Sequence, residues 1–131
     1  MLGAAYEPHQ RHGLAVEQVF QPQVHFFIAR RGGEAVGCGA VAFFDDYAEV
    51  KRMYTRPAAR GRGVGKALLA RLESEARAAG YTILRLETGT EQAAAIALYE
   101  GCGFRRRDAF GHYAEMPAPN TAASLFYEKP L

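Results

Sequence analysis

Tryptophan is missing from this chain of 131 residues, and only two cysteines and three methionines occur in it. Cys38 and Cys102 stand in apolar surroundings with no CxxC or Cys/His spacing, so a disulfide framework and a zinc ribbon are both excluded. They read as reduced core residues, and no metal is expected. Nowhere do apolar side chains run for the ~18 positions that a membrane span needs. The N-terminal MLGAAYEPHQRHG also lacks a basic segment followed by an apolar run. No membrane partner is expected, and the reading is cytoplasmic. Charge of one sign is scarce too: 16 Lys and Arg face 14 Asp and Glu, a net +2. Bulk electrostatics therefore give no nucleic-acid binder, and anion recognition has to come from local clustering. The triple Arg105, Arg106, Arg107 reads as a solvated strand edge rather than a nucleic-acid contact.

What is present fits one globular domain over residues 1–131, with 49% hydrophobic and 23% charged residues. VHFFIARR (Val24 to Arg31), Gly32-Gly33 and AVGCGAVAFF (Ala35 to Phe44) predict a hairpin. After Asp45-Asp46, YAEVKRMYT alternates, with Val50, Arg52 and Tyr54 on one face and Glu49, Lys51, Met53 and Thr55 on the other. Val64, Leu68, Leu69, Leu72 and Ala76 recur at helical spacing up to Ala79, and Gly80 stops the helix. YTILRLETG then reads as a strand covered on both faces, followed by a second helix over Glu91 to Gly101. FRRRDAF and SLFYEKP supply two last strands, joined by a long loop over Glu115 to Ala123. The order β-β-β-α-β-α-β-β predicts a mixed α/β sheet: an antiparallel meander, a central strand-helix-strand-helix unit, and C-terminal strands.

RPAARGRGVGKALL, Arg56 to Leu69, puts glycine and positive charge at the mouth of the first helix. A helix start exposes unpaired N–H groups and the positive end of its dipole, so it can hold an anion that comes close. Gly61, Gly63 and Gly65 remove the Cβ atoms that would block the approach, and Arg60, Arg62 and Lys66 add donors and charge. A phosphate or diphosphate is the ligand this chemistry suits; an ordinary solvated turn is the other reading. Gly65-Lys66 is followed by Ala67, with no hydroxyl for magnesium, which disfavours a P-loop. GxGxG spacing after a meander strand also fails the dinucleotide fingerprint.

Two motifs in this order and spacing, RGRGVG after KRMYTRP and then AIALYEGCGF (Ala95 to Phe104), resemble the GCN5-related N-acetyltransferases (GNAT). The resemblance covers Phe26 to the C-terminus and is sharpest between Glu49 and Phe104. It implies acetyl-CoA as cosubstrate and acetyl transfer to a primary amine, small molecule or peptide, by direct attack in a ternary complex. It also implies that backbone amides from Arg60 through Gly61, Arg62, Gly63, Val64 and Gly65 to Lys66 hold the pyrophosphate. Met53, Tyr54 and Thr55 would pair with the pantetheine arm, and the strands Glu49 to Thr55 and Tyr81 to Thr88 would splay into a V around it. Gln92 takes the place where many relatives carry an asparagine toward the pantetheine.

Acetyl transfer to an amine needs a base, an oxyanion donor and an acid for the thiolate. Tyr99 matches the family tyrosine near the sulfur and would be the acid; read without the motif, it is one face of an amphipathic helix. The amide of Met53 or Tyr54 would meet the oxyanion. Glu49 and Glu87 are both candidate bases, each equally readable as a strand charge paired with Lys51, Arg52 or Arg85. His112 and Tyr113 lie where acceptor specificity would be set, or are solvated turn residues. Relatives begin with a strand and helix ahead of VHFFIARR, whereas here 23 residues precede Val24, with room for one short helix around Leu14 to Phe20. The first strand is therefore expected to be absent, so that either the sheet opens with an exposed edge or a second copy covers it in a homodimer, the reading favoured here. A CoA-binding sensor that keeps the fold without catalysis is the rival reading.

Overall fold

The computed structural model describes residues 23–117 and 122–131. The segment ahead of Gln23, with its expected helix and missing strand, lies outside the described residues, as does part of the Glu115 to Ala123 loop.

Two glycines close the first hairpin. Gly32 (φ +58°) and Gly33 (φ +86°) both take the left-handed conformation, the turn whose twist matches the strands on either side. They join β1 (Val24–Arg31) to β2 (Glu34–Phe43), and β2 continues antiparallel into β3 (Ala48–Thr55). A short 3₁₀ turn, Pro57–Ala59, leads to α1 (Val64–Ala78), with Gly80 at φ +91° just beyond it. Then come β4 (Ile83–Gly89), α2 (Ala93–Gly101), β5 (Arg105–Arg107), a 3₁₀ turn at Gly111–Glu115, and β6 (Ser124–Pro130). The expected element order is the observed one, with sheet order β1-β2-β3-β4-β6-β5. β4 starts at Ile83 and α2 at Ala93, each two residues later than the sequence suggests.

Both helices cover one face of the sheet. Val64, Leu68, Leu69, Leu72 and Ala76 of α1 are buried, the stripe a 3.6-residue period puts on one side. Leu69 and Leu72 share a core with Val50, Leu84, Leu86, Tyr99, Phe104 and Tyr127. At 0–1% exposure, truncating either leucine to alanine would cost about 2–5 kcal/mol. The opposite face is aromatic: Tyr47, Phe110, Tyr113 and Phe126 pack edge to face or tilted, with centroids 5.3–5.7 Å apart. Arg85 stacks on Tyr47 and shares Glu128 with Arg107. Arg107 is thus tied to β6, and Arg106 lies 6.0 Å over the Tyr127 ring.

The simple alternation expected in β3 is corrected by a bulge. Tyr54 lies opposite Cys38, but Lys51 lies opposite Ala40, so Arg52 and Met53 together face Gly39. Arg52 takes φ +58°, left-handed for a non-glycine residue. An inserted residue reverses which side chains face the core. Met53 accordingly joins Val50 on the helix face, packing with Val36, Ala59, Val64 and Leu68. Tyr54 turns outward, while Glu49 and Lys51 lie under the aromatic face.

Candidate active site

The parallel pairing of β3 with β4 is short. Only Ala48 with Leu84 and Glu49 with Arg85 are in register, after which Val50–Thr55 and Leu86–Gly89 run on with no ladder between them. The bulge at Arg52 lies where the strands part, and a bulge bends its strand and adds local twist. The result is a wedge whose closed end is Glu49 and Arg85. β3 lines one wall, β4 the other, and the starts of α1 and α2 lie at its helix-side mouth.

Main-chain direction along β3 follows from one bond. Arg56 N donates to Val36 O at 2.9 Å, with Gly37 opposite Thr55 and Cys38 opposite Tyr54. Antiparallel ladders alternate, so Tyr54 turns its N–H and C=O toward β2 while Thr55 turns its own toward the wedge; Met53 belongs to the bulge, where the alternation is interrupted. Arg60 folds back onto this strand end, donating from Nε to Thr55 O at 3.3 Å.

The glycine loop divides by role. Gly61 (φ +76°) and Gly63 (φ +82°) have open space where a Cβ would sit, so the backbone conformation requires them. Gly65 is constrained by packing instead: its Cβ would lie 2.9 Å from Leu98 Cδ2 of α2. Gly63 is the N-cap of α1, with no side-chain cap and no acidic residue in the first turn. The helix-start amides at Val64, Gly65 and Lys66 therefore have no intrahelical acceptor. Arg60, Arg62 and Lys66 are exposed around them. This is an electropositive, close-approach surface of the kind a diphosphate fits. Gln92, the N-cap of α2, is exposed and keeps its amide toward Gly89 O.

Tyr99 lies on α2 at 6% exposure, its ring 5.9 Å from Phe104 and 6.4 Å from Tyr127. Burial, together with the Glu87 charge, raises its phenol to about 12. Glu87 points to the aromatic face, half-buried, and accepts a hydrogen bond from Ser124 Oγ at 2.7 Å. Its charge reaches Tyr99 and also Tyr113. Glu49 is enclosed at 1% exposure. Lys51 Nζ lies 3.1 Å from its Oε2, and Tyr113 Oη donates to the same oxygen at 3.0 Å. Lys51 Nζ also donates to Tyr113 Oη at 3.0 Å, closing a triangle. Burial raises the Glu49 carboxyl, with Lys51 and Tyr113 opposing that shift. Burial and the Glu49 charge raise the Tyr113 phenol, which stays protonated.

The structure thus brings Tyr99, Glu87, Met53, Thr55 and the glycine loop around one wedge. It sets Glu49 at the closed end. Ser124 was not singled out in the sequence, and Lys51 entered it only as a possible charge partner, which for Glu49 it is. The Glu49-x-Lys51 spacing on one strand face was the available signal for Lys51; nothing local marks Ser124.

Comparison with known proteins gives this arrangement its class. The sequence model of the Acetyltransferase (GNAT) family matches residues 2–104. The IAA acetyltransferase of Azospirillum brasilense is 48% identical over 132 residues, covering 99% of this chain and 83% of that protein. A solved chain from Klebsiella pneumoniae, described as an acyl-CoA N-acyltransferase, superposes with a TM-score of 0.79 at 43% identity, covering 88% of this chain and 79% of that one. The ribosomal-protein-S18-alanine N-acetyltransferase of Escherichia coli superposes with a TM-score of 0.73 at 28% identity, over 98% and 86%. The wedge is therefore that of the acyl-CoA N-acyltransferase fold. The chain belongs to the GNAT acetyltransferase family, and it is an acetyl-CoA-dependent N-acetyltransferase.

Proposed function

We propose that acetyl passes directly from acetyl-CoA to a primary amine bound in the wedge, with Glu87 as base, Tyr99 as acid and the Met53 amide as oxyanion donor. The observation that carries this reading is the parting of β3 and β4 beyond Glu49 and Arg85, with Glu87 on the unpaired stretch of β4 and its charge adding to burial in holding the Tyr99 proton. Glu87 is half-buried and can meet an amine; Glu49, at 1% exposure, cannot without its cover moving. The amine nitrogen attacks the thioester carbon and its proton goes to Glu87. The Met53 amide, on the bulge that opens the wedge, meets the oxygen that gains charge. The C–S bond breaks, and Tyr99 gives its proton to the departing thiolate. The glycine-loop amides, from Gly61 to Lys66, with Arg60 and Arg62, hold the diphosphate. Thr55 pairs with the pantetheine arm, and Tyr54 contributes only a side chain at its rim. Gln92 lies beyond the arm at the start of α2. Neither cysteine is a nucleophile here: Cys38 is buried and its Sγ is engaged by Arg52 O. No acyl-enzyme is called for.

The test is thiol release from acetyl-CoA with glycinamide, tyramine, spermidine and a lysyl peptide as acceptors. IAA joins the panel because the Azospirillum relative is named for it. Glu87→Gln should slow turnover by about 10²-fold or more while coenzyme A still binds by calorimetry. Unaltered turnover would remove Glu87 from its role. For quaternary structure, β1 is the outermost strand among the described residues. A homodimer would place a second copy along that edge, and sedimentation as a monomer would dismiss it.

A further inference from the structure

Tyr113 lies on the sheet face opposite the helices, against Glu49 and Phe126. Phe126 lies directly across the ladder from Glu87, and the Tyr113 ring is 5.3 Å from the Phe126 ring. Tyr113 and Glu87 therefore share one face beside one aromatic ring. The hydrogen-bonding capacity of the Tyr113 hydroxyl is countable. It has one proton and two lone pairs. An ionised carboxylate only accepts and an ammonium only donates, so the proton is committed to Glu49 Oε2 and one lone pair to Lys51 Nζ. One lone pair is left.

We propose that the Glu49–Lys51 pair fixes Tyr113 as a hydrogen-bond acceptor, and that its remaining lone pair and the Glu87 carboxylate together receive the N–H groups of the acceptor amine. This rests on the reading of Glu87 as base. The enclosed ion pair is thus not a second base but the device that sets the polarity of the neighbouring hydroxyl. A hydroxyl free to rotate would offer its proton to a carbonyl or carboxylate equally well; one locked by Glu49 and Lys51 accepts only. The wedge consequently prefers a nitrogen carrying at least two hydrogens, since one goes to each acceptor. A tertiary amine, with no hydrogen to give when neutral, is excluded from both. The other titratable or charged side chains facing this triangle are Arg85 across the β3–β4 register, His112 on the same 3₁₀ turn, and Tyr47, whose phenol burial and the Glu49 charge raise. None of them donates to Tyr113 Oη.

The experiment measures steady-state kinetics with tyramine and with glycinamide at saturating acetyl-CoA. Tyr113→Phe should raise the amine KM about 10-fold, one lost hydrogen bond at ~1.4 kcal/mol, with kcat changed less and coenzyme A affinity unchanged by calorimetry. Lys51→Met keeps the phenol but frees its second lone pair, and should raise KM less than Tyr113→Phe does. Glu49→Gln can donate to Tyr113 and reverse its hydroxyl, so it should raise KM as Tyr113→Phe does, although the phenol remains. A merely structural Tyr113 would lower melting temperature and coenzyme A affinity together and leave the amine KM alone. An amine KM unchanged in Tyr113→Phe, in a protein that Glu87→Gln slows, overturns the proposal and leaves the base in place. Full activity of Glu87→Gln instead removes the base assignment, and this proposal with it.

Discussion

A phenol raised to about 12 by burial keeps its proton at every pH where a neutral amine is plentiful. Tyr99 is thus already in the form an acid needs, and a falling limb in the pH–rate profile near neutrality would have to come from another group. Tyr99→Phe should lower kcat about 10²-fold or more while coenzyme A binds as before, because the ring keeps its packing on Phe104 and Tyr127. Loss of coenzyme binding with unchanged kcat would mean that the hydroxyl only braces α2. Glu49 makes a second prediction at this scale. Burial raises its carboxyl, so the folded protein holds that proton more firmly than the unfolded chain does. Its contribution is complete below the unfolded value and declines as pH rises through the folded one. The stability difference between the native protein and Glu49→Gln should therefore move in favour of the variant as pH rises through and above the ordinary carboxylate range, measured by urea unfolding. A difference that moves the other way would show that Lys51 and Tyr113 outweigh the burial.

Among the elements, β5 and β6 are held beside β4 by a carboxylate of opposite sign in its titration. Burial pushes Glu128 up, but hydrogen bonds from Arg85 and Arg107 outweigh it and leave the carboxyl below the usual value. Arg85 Nε donates to Oε1 at 2.8 Å and Arg107 Nη1 to the same oxygen at 2.6 Å. Stability from a depressed carboxylate is present above the unfolded value and lost as pH falls through the folded one. Glu128→Gln should cost about 1–2 kcal/mol at pH 7, partial exposure keeping it at the low end of charged hydrogen bonds. The cost should shrink as pH falls below the ordinary carboxylate range, and a cost that does not change with pH would locate it in packing. Elements of this kind were largely legible in the sequence, since Gly32-Gly33, Gly80 and the Val64 to Ala76 stripe each carry a local physical cause. The bulge was not. Arg52 has no side-chain signature for φ +58°, and without that bulge Met53 is assigned to the wrong face. Nor was the Glu49–Tyr113 bond, which joins positions 64 residues apart through a turn that the sequence leaves as loop. In the glycine loop the turn was legible, with Gly61 and Gly63 at positive φ, but Gly65 owes its smallness to Leu98 on another helix, a contact that no local pattern announces.

At the scale of the molecule, the sheet is two antiparallel halves, β1-β2-β3 and β4-β6-β5, joined by two ladder positions. Below those positions a common core of Leu69, Leu72, Leu84, Leu86 and Tyr127 binds the halves; above them nothing in the ladder does. On the proposed reading, a cosubstrate whose arm pairs along Met53 to Thr55 and whose diphosphate rests on the start of α1 would occupy the gap and tie its walls together. Coenzyme A at a hundredfold its dissociation constant should stabilise the fold by ~2.7 kcal/mol, a rise in melting temperature of roughly 10 °C for a domain of this size. The protection should be local. Amide hydrogen exchange should slow at Met53 and Thr55 and at Val64, Gly65 and Lys66, while the β1–β2 turn at Gly32-Gly33 exchanges as before. Raising salt from about 0.05 to 0.5 M should weaken binding, because the charges of Arg60, Arg62 and Lys66 are exposed and screened. Uniform slowing across the sheet would mean that the coenzyme acts by global stabilisation alone. Slowing at the α1 amides without Met53 and Thr55 would place the diphosphate correctly but take the arm out of the wedge, and with it the geometry that puts a thioester between Glu87 and Tyr99.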